Sequence, residues 1–583
     1  MNRTGGLVSI MRICLLCVLC LFLYQFAQIA TTIPVCLNGA SEWSGAYKSS
    51  EASTIFVPDN YTTIQAAVDA ANESDTIFVR TGLYDEHIVV NKSISIFGFD
   101  FPTISTHSPV TGFGFPTVAI LANNITISGF ILEHGGTRPL KENDQGIDLS
   151  AANCNIIGNV IRYNWEAILL TGSNNTLVYN TVEHNRGGIQ CAGSDNLIAN
   201  NIISCNDGIG ILSGAQNFLL NNTLAENTWY GISLWSKNNI LRNNNMTNNG
   251  FNFEFDGAIG GPEMYYQDID TSNTVNGKPM YYFIDQSNQT VPTDAGYAAL
   301  INCTNFNVAN LDLQRNAHGV QLAFSTNCTI TDCNFSNNNF GLFIYESTNN
   351  TIYNNNFINN TFQVGNMDSR YGSVTLPPNT WSMGYPSGGN FWSNCSLSDS
   401  FSGVYQNETG SDGIADAAYV IDVNNQDNYP LMAPITSFDA GTWNSTPCAI
   451  HVVSNSTVSD FDLNETEKTI KLNVTGESGL GFCRVTIPNV IVQSLWQANY
   501  MVFVDNQPPL EMRNWTNSEN TYIYFTYQHS QHEIAILPEF PAVAILIPIL
   551  ATAAMGTTLL RRKADKRTAA HVRLAQRAKR EFD

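Results

Sequence analysis

The sequence predicts an all-β protein whose main domain is a right-handed parallel β-helix with 21 or 22 residues per coil. An asparagine followed by two largely apolar residues recurs at that period, at Asn159, Asn180, Asn201, Asn222 and Asn244. An isoleucine preceded by Gly or Ala keeps the same step, at Ile147, Ile168, Ile189, Ile211 and Ile232. Polar turns separate the short apolar runs of each period, whereas helical repeats are longer and follow a 3.6-residue rhythm.

The recurring asparagines predict ladders along the turns of the β-helix. Parallel strands of successive coils lie about 4.8 Å apart, so equivalent residues stack. Asparagine tolerates the left-handed turn conformation, and its amide can bond the asparagine of the next coil. We expect some N-x-S/T sequons to fall on ladder positions. A leucine-rich-repeat horseshoe is the alternative fold, but its L-x-x-L-x-L signature is missing.

The two ends of the chain predict export and a membrane anchor. Residues 1–30 combine two arginines with a continuous apolar stretch, which is typical of a cleaved signal peptide; an uncleaved anchor is the alternative. Residues 541–560 form an apolar span long enough to cross a bilayer, and the basic tail 561–583 follows at once. The positive-inside rule then places the tail in the cytoplasm and the preceding domains at the cell surface.

Between these ends the sequence predicts a linker, the β-helix and a β-sandwich. Thr62 and Gln65 predict a capping box for a helix that closes the open end of the β-helix. Alternating apolar residues in the last domain predict a sandwich that acts as a spacer; a binding module is the alternative. The predicted ranges are 31–54 for the linker, 55–435 for the β-helix, 251–297 for an irregular insertion within it, and 438–535 for the sandwich.

Composition narrows the partners. The chain has 27 basic and 49 acidic residues, a formal net charge of -22, which argues against nucleic acid as a partner. Its cysteines form no C-x-x-C pair outside the signal peptide, which argues against a zinc or redox motif. Cys448 and Cys483 share one exported domain, and we expect them to pair. Recurring sequons predict a glycoprotein.

Several separated motifs resemble known families. Residues 56–58, 61–71, 75–79 and 82–86 resemble the N-terminal cap of pectate-lyase-like β-helix proteins. Motifs similar to the NosD family occur in order at 276–282, 291–297, 388–393, 411–414 and 427–432. The resemblance covers about residues 55–435 and implies a parallel β-helix linked to copper supply for nitrous oxide reductase. Many archaeal surface proteins share this domain with no known role.

The residues before the predicted membrane span resemble another signal. Pro538-Glu539-Phe540-Pro541 is similar to archaeal PEF-type sorting signals, which implies processing by an archaeosortase and a lipid anchor. The tail of 23 residues after the span departs from that pattern because it is longer than such signals usually have.

Charged residues in neighbouring coils form the candidate catalytic site. The wider set comprises Glu133, His134, Asp144, Asp148, Arg162, Glu166, Glu183, His184, Arg186 and Asp207. Stacking is expected to gather Glu183, His184, Arg186 and Asp207, with Glu183 or His184 as the base and Arg186 neutralising a uronate. Such a site would make the protein a polysaccharide lyase, epimerase or hydrolase. Solvated turn residues are the alternative, and pectate lyase and polygalacturonase signatures are absent.

Tryptophans in predicted turns are the candidate ligand-binding residues. Trp165, Trp229 and Trp235 are expected to stack on sugar rings, and burial in the core is the alternative.

Two metals, calcium and copper, are the candidate ions for this sequence. Glu408, Asp412 and Asp416 resemble a degenerate EF-type loop and are the expected ligands of a structural calcium ion, against an ordinary Asp-Gly turn. Copper is implied by the family resemblance alone. The nine histidines are scattered, and His529 and His532 are the nearest approach to a copper site.

Taken together, the sequence favours an anchored surface protein that binds or organises a glycan or another surface polymer without catalysis. The alternatives are a carbohydrate-active lyase, epimerase or hydrolase, and a NosD-like accessory protein for copper delivery.

Overall fold

The computed structural model describes residues 52–106, 115–134, 144–255, 261–366, 369, 375–539 and 573. These residues belong to one contact unit that begins at Ala52. The predicted signal peptide and the predicted membrane span lie outside the described residues. Within the described part of the chain, no helix combines the length and the apolar composition that a membrane crossing requires.

The main domain is a right-handed parallel β-helix of about 13 coils, which confirms the fold that the period predicts. Successive strands pair in parallel one period apart: Ile161 pairs with Val182, and Ile168 pairs with Ile189. All four side chains are buried inside the coil. The apolar markers of the repeat are therefore the residues that fill the interior.

The first run of coils contributes strands to three sheets. Sheet A contains Thr54–Val57, Thr76–Val79, Ser95–Gly98, Thr126–Ser128, Asn155–Ile157, Thr176–Val178, Leu197–Ala199, Phe218–Leu220, Ile240–Arg242 and Asp268–Ile269. Sheet B contains Leu83–Tyr84, Thr103–Ser105, Ile131–Glu133, Val160–Arg162, Thr181–Glu183, Ile202–Ser204, Thr223–Ala225, Asn245–Thr247 and Thr274–Val275. Sheet C contains Ile88–Val90, Val118–Ile120, Ile147–Leu149, Glu166–Leu170, Gly187–Cys191, Ile211–Ser213, Tyr230–Leu234 and Phe251–Phe255.

A buried asparagine ladder runs along each of the three corners between these sheets. Corner AB carries Asn159, Asn180, Asn201, Asn222 and Asn244; corner BC carries Asn164, Asn185, Asn206, Asn227 and Asn249; corner CA carries Asn175, Asn196, Asn217 and Asn239. The backbone N–H and the side-chain amide of Asn180 both donate to Oδ1 of Asn201, at 2.9 and 3.0 Å. The same amide donates to the carbonyl of Ile156 at 2.9 Å. The ladder thereby supplies hydrogen-bond partners for amides that are buried away from water.

The left-handed turn residue precedes the ladder asparagine, so the expectation that the ladder asparagine itself takes that conformation was wrong. Tyr179 has φ 60° before Asn180, and Asn200 has φ 56° before Asn201. The ladder asparagine instead turns its amide inward, because the left-handed residue before it reverses the chain direction at the corner.

The N-terminal end of the β-helix is covered by the helix Ile64–Ala70. Thr63 is its N-cap and accepts a hydrogen bond from the Ala66 N–H at 3.2 Å, so the predicted cap at Thr62 is one residue early. The predicted capping box does not form because a more distant carboxylate, that of Glu86, accepts from the N–H groups of Ile64 and Gln65, both at 2.9 Å.

Regular coils continue to Phe255, and a different segment follows. It contains the 3-10 helix Pro262–Tyr265 and an antiparallel pairing of Thr274–Val275 with Lys278–Ile284. A second run of coils then stacks on Lys278–Ile284. Its strands are Tyr297–Ile301, Asn307–Ala309, Asp312–Gln314, His318–Ala323, Thr329–Thr331, Asn334–Ser336, Phe340–Tyr345, Thr351–Tyr353, Asn356–Ile358, Phe362–Gly365 and Phe391–Trp392.

Short hairpins and two antiparallel sheets complete the described chain. The hairpins pair Phe401–Ser402 with Glu408–Thr409 and Tyr419–Val420 with Gln426–Asp427. One sheet contains Ile435–Trp443, Thr446–Ser454, Leu480–Pro488, Glu511–Thr516 and Asn520–Gln528; the other contains Thr457–Asn464, Thr469–Thr475, Tyr500–Val504 and Gln531–Pro538. Residues of both sheets and of the helix Asn489–Trp496 share one apolar core.

Hydrogen bonds of Asn356 and Arg484 attach the last β domain to the end of the β-helix and the loops that follow it. Asn356 of the final coils exchanges two hydrogen bonds of 2.8 Å with the backbone of Ile435. Arg484 is buried, and its guanidinium donates to the carbonyls of Asp412, at 2.7 Å, and of Pro386.

The expected disulfide between Cys448 and Cys483 is wrong, because both thiols are free. Ser454 is the residue that pairs with Cys483 across the sheet. Cys448 lies six residues before Ser454 on the same strand, which places it roughly 20 Å away along the strand direction. A disulfide requires Cα atoms within about 7 Å of each other.

Candidate functional site

A cleft of about 460 Å³ opens on the outer side of corner BC, within the size range of ligand pockets. The corner is fixed by its ladder: the backbone N–H of Asn185 donates to Oδ1 of Asn206 at 3.0 Å. The residue after each ladder asparagine faces outward at the same position of its coil. Trp165, Arg186 and Asp207 therefore stack one above another along the cleft.

The next position of each coil forms a notch. Glu166, Gly187, Gly208 and Trp229 occupy this position in four successive coils, each 21 residues after the last. A β-carbon on Gly187 would lie 2.1 Å from a carboxylate oxygen of Glu166, and one on Gly208 would lie 2.5 Å from the Arg186 carbonyl oxygen. The obstacle at Gly208 is fixed backbone, whereas at Gly187 it is the end of the Glu166 side chain. Both positions are glycine, so backbone forms the floor between Glu166 and Trp229.

The end of the notch at Glu166 carries the charged groups. The Arg186 guanidinium carbon lies 3.5 Å from the centre of the Trp165 ring, a cation–π contact. Burial raises the pKa of Glu166 to about 7, and the positive charge of Arg186 opposes that rise. Glu166 therefore changes its charge near neutral pH inside the cleft.

The opposite end of the notch is apolar. Trp229 is 59% exposed, and its ring lies three coils from Glu166, roughly 14 Å along the axis. Since an indole presents a flat apolar face, this end of the cleft suits a ring with an apolar face, and the other end suits polar groups.

The structure brings together part of the predicted site. Arg186 and Asp207 of the predicted catalytic set line the cleft, as do the predicted ligand-binding residues Trp165 and Trp229. The third tryptophan, Trp235, is 56% exposed but lies outside the cleft, after the far end of the strand Tyr230–Leu234. Its indole N–H donates to Ser233 Oγ at 3.1 Å.

The two predicted bases lie on the other side of the asparagine ladder. Glu183 ends a strand of sheet B, beside Arg162 in the parallel register. His184 takes the left-handed turn position, and its ring stacks on Tyr163 with centroids 5.9 Å apart. Because the chain turns at Asn185, neither residue lines the cleft that contains Arg186.

Glu166 is the functional candidate that the predicted catalytic set omitted. It appeared among the charged residues of neighbouring coils, but Glu183 was preferred as the base. The signal that identifies it is its 21-residue column, in which a glutamate precedes two glycines and a tryptophan. Two stacked glycines next to larger residues mark a depression on a surface of stacked coils.

The predicted calcium ligands do not come together. Asp416 accepts hydrogen bonds from the backbone N–H groups of Ser400 and Phe401, and Asp412 accepts from that of Ile414. Glu408 lies exposed in a hairpin strand. Among the described residues, no three His, Cys, Asp or Glu side chains are arranged to hold a metal ion. The Asp412 and Asp416 carboxylates stabilise turns by accepting backbone hydrogen bonds.

The histidine pair nearest to a copper site, His529 and His532, is already hydrogen-bonded. His532 contacts Asp505 through Nδ1 at 2.7 Å and the Gln528 carbonyl through Nε2 at 2.6 Å. His529 contacts the Ser478 carbonyl at 3.1 Å. Both rings already have protein partners, so this pair does not fit a copper site, and the described residues supply no substitute cluster.

The fold and the cleft define a parallel β-helix protein with a lateral polar and aromatic cleft. The family described as periplasmic copper-binding protein (NosD) matches residues 69–282 and 284–397, more than half of the chain. The protein therefore belongs to the NosD family.

One curated relative and two solved structures illustrate its similarities. A cell surface glycoprotein of Methanothermus fervidus is 31% identical over 125 residues, which span 21% of this chain and 20% of that protein. The A-module of the Azotobacter vinelandii mannuronan C-5 epimerase AlgE6 is 14% identical over 54% of this chain and 89% of its own, with a TM-score of 0.28. The Dettilon tailspike protein is 11% identical over 83% and 93%, with a TM-score of 0.31.

Proposed function

We propose that this protein is a cell-surface β-helix protein whose corner BC cleft binds a carbohydrate polymer. The column Glu166–Gly187–Gly208–Trp229 is the observation that carries the proposal. Its glycine gap leaves space beside an exposed indole, and sugar rings stack on indole faces through their apolar sides. Arg186 and Asp207 offer donors and acceptors for the hydroxyl groups of the same ring.

Binding is tested by titrating the full-length protein with a panel of neutral and acidic oligosaccharides in a calorimeter. Trp229→Ala is expected to weaken binding at least tenfold, because it removes the stacking surface. Trp235→Ala is the matched control, since that tryptophan is equally exposed but lies outside the cleft. Equal losses in the two variants, or none in Trp229→Ala, would contradict the assignment of the cleft.

The surface location is supported by the predicted signal peptide, the predicted anchor and the named glycoprotein relative. Deletion of residues 541–583 is expected to move the protein from the membrane fraction to the medium. Added protease should digest the full-length protein on intact cells. Retention of the shortened protein in cells, or protection of the full-length one, would contradict this location.

A second candidate function is catalysis on the bound polymer. Glu166 supports it, because a carboxyl group with a pKa near 7 beside an arginine can act as a general acid or base at neutral pH. Incubation with acidic and neutral polysaccharides, followed by size-exclusion chromatography and NMR, reports chain length and sugar configuration together. Changes that Glu166→Gln abolishes would establish an enzyme. Co-elution of an unchanged polymer would leave the binding function alone.

A further inference from the structure

Sequons and buried asparagines never coincide in the described residues. These residues contain twenty N-x-S/T sequons, and the asparagine of each is exposed or half-buried. They also contain twenty-four buried asparagines, none of which begins a sequon. The expectation that some ladder positions are sequons was therefore wrong. A threonine directly follows several buried asparagines, one residue short of the sequon spacing, at Asn175, Asn222, Asn350 and Asn360.

The tripeptide N-N-T explains why the sequon asparagine lies one residue before the buried asparagine. In Asn174-Asn175-Thr176 the first residue is the exposed left-handed turn residue, with φ 58°. The second is the buried ladder asparagine, whose backbone N–H donates to Oδ1 of Asn196 at 2.8 Å. The threonine begins the next strand of sheet A. The same order recurs at residues 221–223, 349–351 and 359–361.

The sequon asparagines differ in whether their amides are already bonded. Within the described residues, the side-chain amides of Asn124, Asn174, Asn221 and Asn359 form no hydrogen bond, and all four residues are exposed left-handed turn residues. Asn455 is the contrast, since its amide donates to the Leu480 carbonyl at 3.0 Å and its Oδ1 accepts from the Phe482 N–H at 2.9 Å. A group added to Nδ2 replaces a hydrogen that makes no bond at the first four positions, whereas at Asn455 it competes with the Leu480 carbonyl for the amide.

We propose that Asn124, Asn174, Asn221 and Asn359 carry N-linked glycans and that Asn455 does not. The proposal rests on the surface location proposed above. The sugar donor is an oligosaccharide activated as a lipid phosphate ester. The asparagine Nδ2 forms a bond to its anomeric carbon, the bond from that carbon to the phosphate oxygen breaks, and the lipid phosphate leaves. The amide proton passes to a base of the transferase that reads the sequon.

In the coils that form the cleft, corner BC carries none of these sequons. Between residues 144 and 255 the sequons begin at Asn174 on corner CA, Asn221 on corner AB and Asn245 on sheet B. The left-handed positions of corner BC are Tyr163, His184, Cys205, Glu226 and Asn248, and none of them begins a sequon. Glycans at Asn174 and Asn221 therefore lie on the other two corners and leave the cleft open.

Mass spectrometry of glycopeptides from the full-length protein, produced in its native host, tests the sites. We expect glycan mass on the four peptides and none on the Asn455 peptide. Thr176→Val and Thr223→Val keep the side-chain shape but remove the sequons at Asn174 and Asn221, so each should clear only its own site. Bare peptides from protein that protease reaches on intact cells would overturn the glycan sites while the location stands. Bare peptides from a protein that is not exported would overturn both.

A transplanted sequon tests whether the corner frame is sufficient. Cys205→Asn with Asp207→Thr places the N-N-T order on corner BC, and Cys205→Gln with Asp207→Thr is the matched control without a sequon. Only the first variant should gain a glycan at position 205, and it should bind the cleft oligosaccharide at least tenfold more weakly than the control. A bare peptide at position 205 in a protein that is modified at Asn174 would contradict the role of the corner frame.

Discussion

Corners BC and CA are each built on a buried asparagine ladder, but they present different surfaces. At corner BC the residues after the ladder are Trp165, Arg186 and Asp207, and a glycine notch follows them. At corner CA the residues before the ladder are exposed turn residues such as Asn174 and Asp195, and the residues after it enter sheet A directly. The ladder fixes the path of the chain, so the residues beside it can vary with function.

Loss of a ladder amide should have the largest effect, and the same effect at both corners. Asn206→Ala in corner BC and Asn196→Ala in corner CA each leave the buried donors of the neighbouring coil without an acceptor. We expect each to lower the free energy of unfolding by about 3–5 kcal/mol, from a cavity and unpaired polar groups. Urea denaturation measures this loss. Strongly unequal losses would break the equivalence of the two corners.

Glycine replacements should separate the corners. A β-carbon on Gly193, in corner CA, would lie 1.9 Å from the Gly172 carbonyl oxygen, which is backbone and cannot move aside. On Gly187 the obstacle is the end of the Glu166 side chain, which can rotate. Gly193→Ala is expected to cost about 2–4 kcal/mol of unfolding free energy and Gly187→Ala less than half of that. Calorimetric melting would check the order, and a larger cost for Gly187→Ala would contradict it.

The cleft corner should also carry a pH dependence through Glu166. Burial raises its pKa from 4.5 to about 7, although Arg186 opposes the rise. A raised folded-state pKa contributes stability that is complete below pH 4.5 and is lost as the pH rises through 7. Glu166→Gln should therefore gain roughly 1–3 kcal/mol of unfolding free energy over the natural protein between pH 5 and pH 8. A stability difference that does not change with pH would contradict this environment.

The smallest expected effect concerns ligand binding by the same group. If the cleft binds an acidic oligosaccharide, ionised Glu166 repels it, so affinity should fall severalfold as the pH rises through 7. Glu166→Gln should flatten that profile, and a neutral oligosaccharide of equal length is the control. Titration at pH 6 and pH 8 makes the comparison, and an unchanged profile in the variant would exclude this repulsion.

The sequence predicted the repeat well because stacked coils require similar residues at equivalent positions, every 21 or 22 residues. Ile161 and Val182 could be paired from spacing alone, and the structure confirms that pairing. It was harder to predict on which side of a corner a given charged residue lies. Glu183 and Glu166 are both acidic residues near a turn, but only the position relative to Asn185 decides which faces the cleft. Prediction of the notch would have required an alignment of the coils, in which Gly187 and Gly208 fall in one column.

Errors at the caps and in the last domain have a different origin. The N-cap at Thr63 depends on a carboxylate from Glu86, a contact across coils that local sequence does not specify. Cys448 and Cys483 were paired because they share a domain, but pairing depends on strand register. Contacts between residues that are distant in sequence decide each of these cases, and such contacts do not follow from a sequence repeat.

The bonds between Asn356 and Ile435 bear on what covers the end of the β-helix. A stack of parallel strands ends in a row of free backbone donors and acceptors, which can recruit the edge of another copy. Here Phe391–Trp392 pairs with the strand Asn356–Ile358, the Asn356 side chain bonds the first residue of the antiparallel domain, and Arg484 holds that domain against the preceding loops. The domain thereby lies beside this end of the β-helix. A chain that ended before Ile435 would present an adhesive end and would be expected to join end to end into fibres.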